Sequence, residues 1–142
     1  MSQKMPERAQ PILALGLGCR RGCPAATLLA AVEEVLRAHD LSVLNVHAIA
    51  SIELKCDESG LLELARQLDV PLYFFSASQL RSHEAQLSHR SEASFEHTAC
   101  HGVAESSALA LASQSGPARL LVTRQKSPQV TIALAITCPN GR

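Results

Sequence analysis

The residues best suited to chemistry cluster after the first apolar run. Gly16-Leu17-Gly18-Cys19-Arg20-Arg21-Gly22-Cys23 combines three glycines with two adjacent arginines. Glycines let a backbone approach a ligand closely, and free N–H groups at a helix start favour anions. Guanidinium forks match carboxylate or phosphate oxygens in pairs. The spacing predicts an anion-binding loop; the alternative is a tight structural turn with two solvated arginines. The glycine spacing is G-x-G-x-x-x-G, one residue off the dinucleotide fingerprint, and no acid marks the tip of the next apolar run. A Walker loop is excluded because no Gly-Lys-Ser/Thr follows, which leaves a nucleotide-phosphate site as a weak third option.

Further along, Glu53-Leu54-Lys55-Cys56-Asp57-Glu58 offers a cation for an anion and carboxylates able to move a proton, or simply a solvated helix entrance. Glu105 stands in a small-residue run, Val103-Ala104-Glu105-Ser106-Ser107-Ala108, where a first-turn carboxylate is ordinary dipole stabilisation. Lys126 falls in a polar stretch near the end. His83, His89, His97 and His101 lie in or beside a Ser- and His-rich stretch, residues 82–100, which reads as a long functional loop or lid. His97, Cys100 and His101 lack the further ligands a closed zinc site needs, and no metal is expected. Cys19 and Cys23, four apart, read as two free thiols. No nucleophile elbow and no Ser/His/Asp or Cys/His trio is recognisable by spacing.

The elements that must hold these residues alternate. Residues 12–17 read as a buried strand and the loop 18–23 follows. Helical spacing of Leu28, Leu29, Val32, Val35 and Leu36 comes next, with Pro24 at its start. Residues 44–50 read as a second strand containing His47. Asp57 is the expected N-cap of a helix carrying Leu61, Leu62, Leu64, Ala65 and Leu68. Residues 72–75 form a short third strand, and Ser76 to Gln79 has capping-box spacing. A helix over 103–112 and two strands, 120–122 and 130–134, complete the chain, the last pair as an antiparallel hairpin. The order β-α-β-α-β-α-α-β-β predicts an α/β, three-layer α/β/α single domain with a mostly parallel, mixed sheet of about five strands. Ligands of such sheets collect beyond the carboxyl ends of the strands.

Composition narrows the partners. Among 142 residues, 13 basic and 13 acidic side chains cancel, so no global field favours nucleic acid or a membrane surface. Aromatics are 3% with no Trp, too few for a base-stacking platform. Charged residues are 18% and mean hydropathy is +0.08, which excludes a disordered chain. No apolar run approaches a membrane span and residues 1–10 carry no signal-peptide core. Five scattered cysteines do not suggest a disulfide framework, so a reducing cytoplasmic location is expected.

In combination these segments are more specific than any one of them. Residues 15–22, 50–61, 70–76, 103–108 and Lys126 with 130–133 resemble, in order, the CobE/CbiG C-terminal family of cobalamin biosynthesis, over about residues 11–136. The resemblance implies one domain, 1–142, of the stand-alone kind that belongs to the oxygen-dependent pathway. It also implies a precorrin ligand and possible contact with other enzymes of the pathway. Longer members open the ring-A lactone of a cobalt-precorrin and release acetaldehyde, so a hydrolase is the alternative to a carrier or accessory factor. Residues and resemblance together give Gly18, Cys19, Arg20, Arg21, Gly22, Lys55, Ser76 and Lys126 as the expected substrate-binding set. Glu105 and Glu58 are the expected catalytic residues if the chain is an enzyme. No cofactor is expected.

Overall fold

In the computed structural model, residues 11–87 and 102–137 are described. The elements are β1 (Leu13–Cys19), α1 (Ala25–Ala38), β2 (Ala48–Ile52), α2 (Ser59–Leu68), β3 (Leu72–Phe75), α3 (Ala77–Arg81), α4 (Val103–Ser113), β4 (Ala118–Lys126) and β5 (Val130–Thr137). Three single 3₁₀ turns, Val43–Asn45, Glu53–Lys55 and Glu84–Gln86, lie between them. The five strands form one mixed sheet in the order β3-β2-β1-β5-β4. β1 pairs in parallel with β2 and β2 with β3, while β5 is antiparallel to both β1 and β4. Only β5 is therefore reversed, and the fold is the three-layer α/β/α domain expected from the order of elements.

Each face of the sheet has its own core. Leu28, Val32 and Leu36 of α1 and Leu61 and Leu64 of α2 bury against Leu15, Leu17, Ile49, Ile132 and Leu134 on one side. On the other side, Ala108, Leu109 and Ala112 of α4, with Leu80 of α3, cover Ala14, Ala50, Ile52 and Ala135. Where α4 crosses β1 the facing residues are small, Gly16 against Ala104 and Ala108, so the helix rests almost directly on the sheet there. Gly16 is the closest point: a Cβ there would overlap the Ala104 carbonyl oxygen and crowd the Ala108 nitrogen. Every residue from Ala104 to Ala112 is buried, Glu105, Ser106 and Ser107 included.

Several boundaries differ from the sequence expectations. β1 runs on through Gly18 and Cys19, so the first loop is only residues 20–23. Gly18 and Cys19 pair with Thr131 and Val130, and this long ladder with β5 outweighs the weak strand propensity of glycine. The second strand starts at Ala48 rather than 44, because Ser42 and Asn45 form a capping box around a 3₁₀ turn. His47 precedes the strand, and its Nδ1 accepts the Leu13 N–H at 3.0 Å. Glu58, not Asp57, is the N-cap of α2. β4 extends to Lys126, well past residue 122, because an edge strand with one uncovered side tolerates the polar run Thr123 to Lys126. The closing hairpin is present, and Ser76 and Gln79 form the expected capping box. Residues 88–100 of the expected lid, with His89, His97, Cys100 and also His101, lie outside the described residues.

Replacing Gly16 with alanine drives a methyl into helix backbone that has no side chain to move aside. Gly16→Ala is expected to destabilise the fold by about 3 kcal/mol, the upper end of overpacking costs. Urea unfolding followed by far-UV circular dichroism measures it; a loss below about 1 kcal/mol would show that α4 can lift from the sheet.

Candidate functional site

The chain reverses its winding between β1 and β5: α1 and α2 cover one face, then α3 and α4 cover the other before the chain returns to the far edge. A crevice opens at such a switch point, outside the carboxyl ends of the strands. Here it is a groove of about 850 Å³, within the size range of small-molecule sites. Cys19 at the end of β1 with Arg20 and Arg21 after it, Ile52 at the end of β2 with Leu54 and Lys55 after it, and the β4–β5 connection line it, together with Gly102, Val103 and Ala104 at the start of α4. Arg20, Arg21, Lys55, Arg124 and Lys126 are all part of its wall, and among the described residues no Asp or Glu is. In a chain of zero net charge this is a strong local concentration of one sign.

Each cation is placed by a specific constraint. The turn 20–23 is closed by Cys23 N–H to Arg20 O at 3.1 Å and tied to the hairpin by Arg20 N–H to Gln129 O at 2.9 Å. Arg21 stays exposed, its Nη1 3.6 Å from Glu58 Oε2 and 3.9 Å from Asp57 Oδ1. Lys55 ends the 3₁₀ turn that follows β2, and the buried Ser51 hydroxyl donates to Leu17 O at 2.7 Å to lock β2 against β1 below it. Arg124 and Lys126 sit two apart at the end of β4, beside a register irregularity between Val122 and Gln125. Among the described residues, Arg20, Lys55, Arg124 and Lys126 make no ion pair. The N-terminus of α4 adds the positive end of an eleven-residue helix to the same wall.

The fold thus gathers Gly18, Cys19, Arg20, Arg21, Lys55 and Lys126 of the sequence-derived set. Gly22 and Ser76 are not part of the wall. Gly22 turns its N–H away from the groove, to Glu58 Oε1 at 2.9 Å. Ser76 caps α3 beyond β3, its hydroxyl accepting the Gln79 N–H at 3.1 Å. Glu58 and Glu105 are both buried behind the groove wall, and Glu105 Oε2 accepts the Arg124 N–H at 2.7 Å. Arg124, Leu54 and the start of α4 were not anticipated. The two-residue spacing of Arg124 and Lys126 was the available signal, hidden because the strand was expected to stop at residue 122. No cluster of metal-ligating side chains exists among the described residues.

Among the described residues, Cys19 is the one thiol in the wall. Burial pushes its pKa from the ordinary 9.0 up to about 11, against the opposing pull of Lys55. Cys23, buried beneath the turn, is also raised, chiefly by burial and then by Glu58. Both are protonated at neutral pH, which argues against a nucleophilic role.

The five-stranded mixed sheet and the groove at its switch point define a three-layer α/β domain, and comparison with known proteins assigns the family. Residues 13–135 match the family model described as cobalamin synthesis G C-terminus, and the chain belongs to that family of cobalamin biosynthesis proteins. It is 36% identical to Protein CobE of a Sinorhizobium species, over 87% of this chain and 79% of that protein. It is equally 36% identical to the cobalt-precorrin-5A hydrolase of Priestia megaterium, over 88% of this chain but only 32% of that enzyme, so it spans about a third of the hydrolase's length. The crystal structure of CobE, a protein from the cobalamin (vitamin B12) biosynthetic pathway, superposes with a TM-score of 0.90 at 38% identity. It covers 96% of this chain and 97% of that one.

Because a thiol alkylates as the thiolate, Cys19 should label much more slowly than the exposed Cys56 at pH 8. Its rate should keep rising toward pH 11, since the raised pKa holds the proton past the ordinary 9.0. Peptide-resolved mass spectrometry after timed iodoacetamide exposure reads both. Equal rates at pH 8 would mean that Cys19 is neither buried nor held protonated.

Proposed function

We propose that this chain binds a polycarboxylate precorrin in the groove and acts in the cytoplasm as a carrier or accessory factor, presenting the ligand to other enzymes of cobalamin biosynthesis. The observation that carries this reading is the concentration of Arg20, Arg21, Lys55, Arg124 and Lys126 around one groove whose wall, among the described residues, has no acid. A corrin precursor bears acetate and propionate carboxylates on the rim of a flat apolar macrocycle. Arginine forks and lysine ammonium groups suit the rim, and Ile52, Leu54, Val103 and Pro128 offer apolar surface to the ring. Among the described residues no helix is long and apolar enough to cross a membrane.

A second reading, hydrolysis of a strained lactone, is favoured by the name of the Priestia relative. It would use Glu58 or Glu105 to activate water and Arg21 or Lys55 to steady the oxyanion. Both carboxylates are buried and already accept backbone N–H groups, which supports binding over catalysis.

Mixing the purified protein with a panel of pathway intermediates separates the two. A bound pigment of unchanged mass supports the carrier; gain of one water or loss of a fragment makes the chain an enzyme. Arg20→Ala and Arg124→Ala should each weaken binding by about tenfold or more, since a charge-assisted bond contributes about 1.5–3 kcal/mol. Spectrophotometric titration with cobyrinic acid, a stable heptacarboxylate corrinoid, measures this. Unchanged affinity in folded variants would remove the groove from the binding site.

A further inference from the structure

Two carboxylates stand behind the cationic groove, and their placement has a common logic. Glu58 is 4% exposed and Glu105 fully buried. A buried carboxylate is costly unless charge or hydrogen bonding compensates it, so such groups mark places where an acceptor is required. Glu58 Oε1 accepts the N–H of Gly22, in the turn that carries Arg20 and Arg21. Its other oxygen has no hydrogen-bond partner and lies 3.6 Å from Arg21 Nη1. Glu105 Oε2 accepts the N–H of Arg124 at the irregularity in β4, where the ladder to β5 slips. In both cases the carboxylate grips main chain from behind, and the residue or turn it grips presents an arginine to the groove.

The rest of the chain makes room for these grips. Gly60 lets the start of α2 press against the turn, because a Cβ there would overlap the Cys23 carbonyl oxygen. Without that approach Glu58 would not reach Gly22. Glu105 is carried in by α4, whose descent onto the sheet depends on Gly16.

We infer that Glu58 and Glu105 are positioning residues for the anion site: each fixes, as a hydrogen-bond acceptor, the backbone that presents Arg20 and Arg21 or Arg124. The inference deepens the binding reading and assigns work to the two carboxylates that a hydrolase reading would use as bases. It predicts that the acceptor matters more than the ability to take a proton.

Glutamine keeps an acceptor oxygen and loses the basicity; leucine loses both. Glu58→Gln and Glu105→Gln should bind cobyrinic acid within about threefold of wild type, while Glu58→Leu and Glu105→Leu should bind about tenfold more weakly. In an Arg20→Ala/Arg21→Ala background, Glu58→Leu should cost nothing further, because its effect runs through those arginines. Full additivity in that cycle overturns the inference, as does a Gln variant as weak as its Leu counterpart. Amide hydrogen exchange gives an answer independent of the ligand: Gly22 should lose protection in Glu58→Leu and Arg124 in Glu105→Leu, each without the other. If wild type does not bind the corrinoid, the binding reading fails, and unchanged exchange in both Leu variants separately sinks the positioning role. Should the Leu variants not fold, Glu58→Asp, one methylene too short to reach Gly22, is expected to show the same loss of binding and protection; wild-type values in it would overturn the role.

Discussion

The contact on which most of the structure depends is the near-backbone approach of α4 to the centre of the sheet. With Gly16 beneath it and alanines along its inner side, the helix settles closer to β1 than any larger residue would allow. Dispersion between tightly apposed backbones replaces the bulky side chains of an ordinary helix-on-sheet layer. The depth of that seat fixes where the start of α4 emerges. It emerges at the groove, with its positive end in the wall and Glu105 directed under β4.

From this seat the electrostatic design follows. Several cations in one wall repel one another, and a neutral chain gains no solubility from grouping them. Acids on the groove surface would neutralise them but would also compete with an anionic ligand. The chain instead keeps its nearby carboxyl groups below the surface, as Glu58 and Glu105, each bonded to backbone. The cations thereby remain available to a ligand. Arg21, with Asp57 and Glu58 at 3.9 and 3.6 Å, is the one groove arginine that shares itself between the two roles.

Legibility in the sequence divides along a physical line. The helices were readable because their apolar residues recur at 3.6-residue spacing, as with Leu28, Val32 and Leu36 in α1. The capping box at Ser76 was readable because it is a local bond, and the hairpin because its connection is short. Strand ends were harder. β1 continued through Gly18 and Cys19 only because β5 pairs with it, and β4 continued through Arg124 because an edge strand needs no apolar side there. The β5 residues that extend β1 lie far away in sequence, and nothing local marks β4 as the edge of the sheet.

What the sequence determined by itself was the alternation of strands and helices, the identity of the cations and the family segments that carry them. What only tertiary structure decided was which charges meet and which are held back. Gly22 and Glu58 are 36 residues apart, and Glu105 and Arg124 are 19 apart. No local propensity links such pairs. They come together because packing of α2 and α4 on opposite faces of one sheet brings each glutamate against a distant stretch of main chain. A buried carboxylate in that position needs a donor, and each accepts an N–H from the segment that presents an arginine.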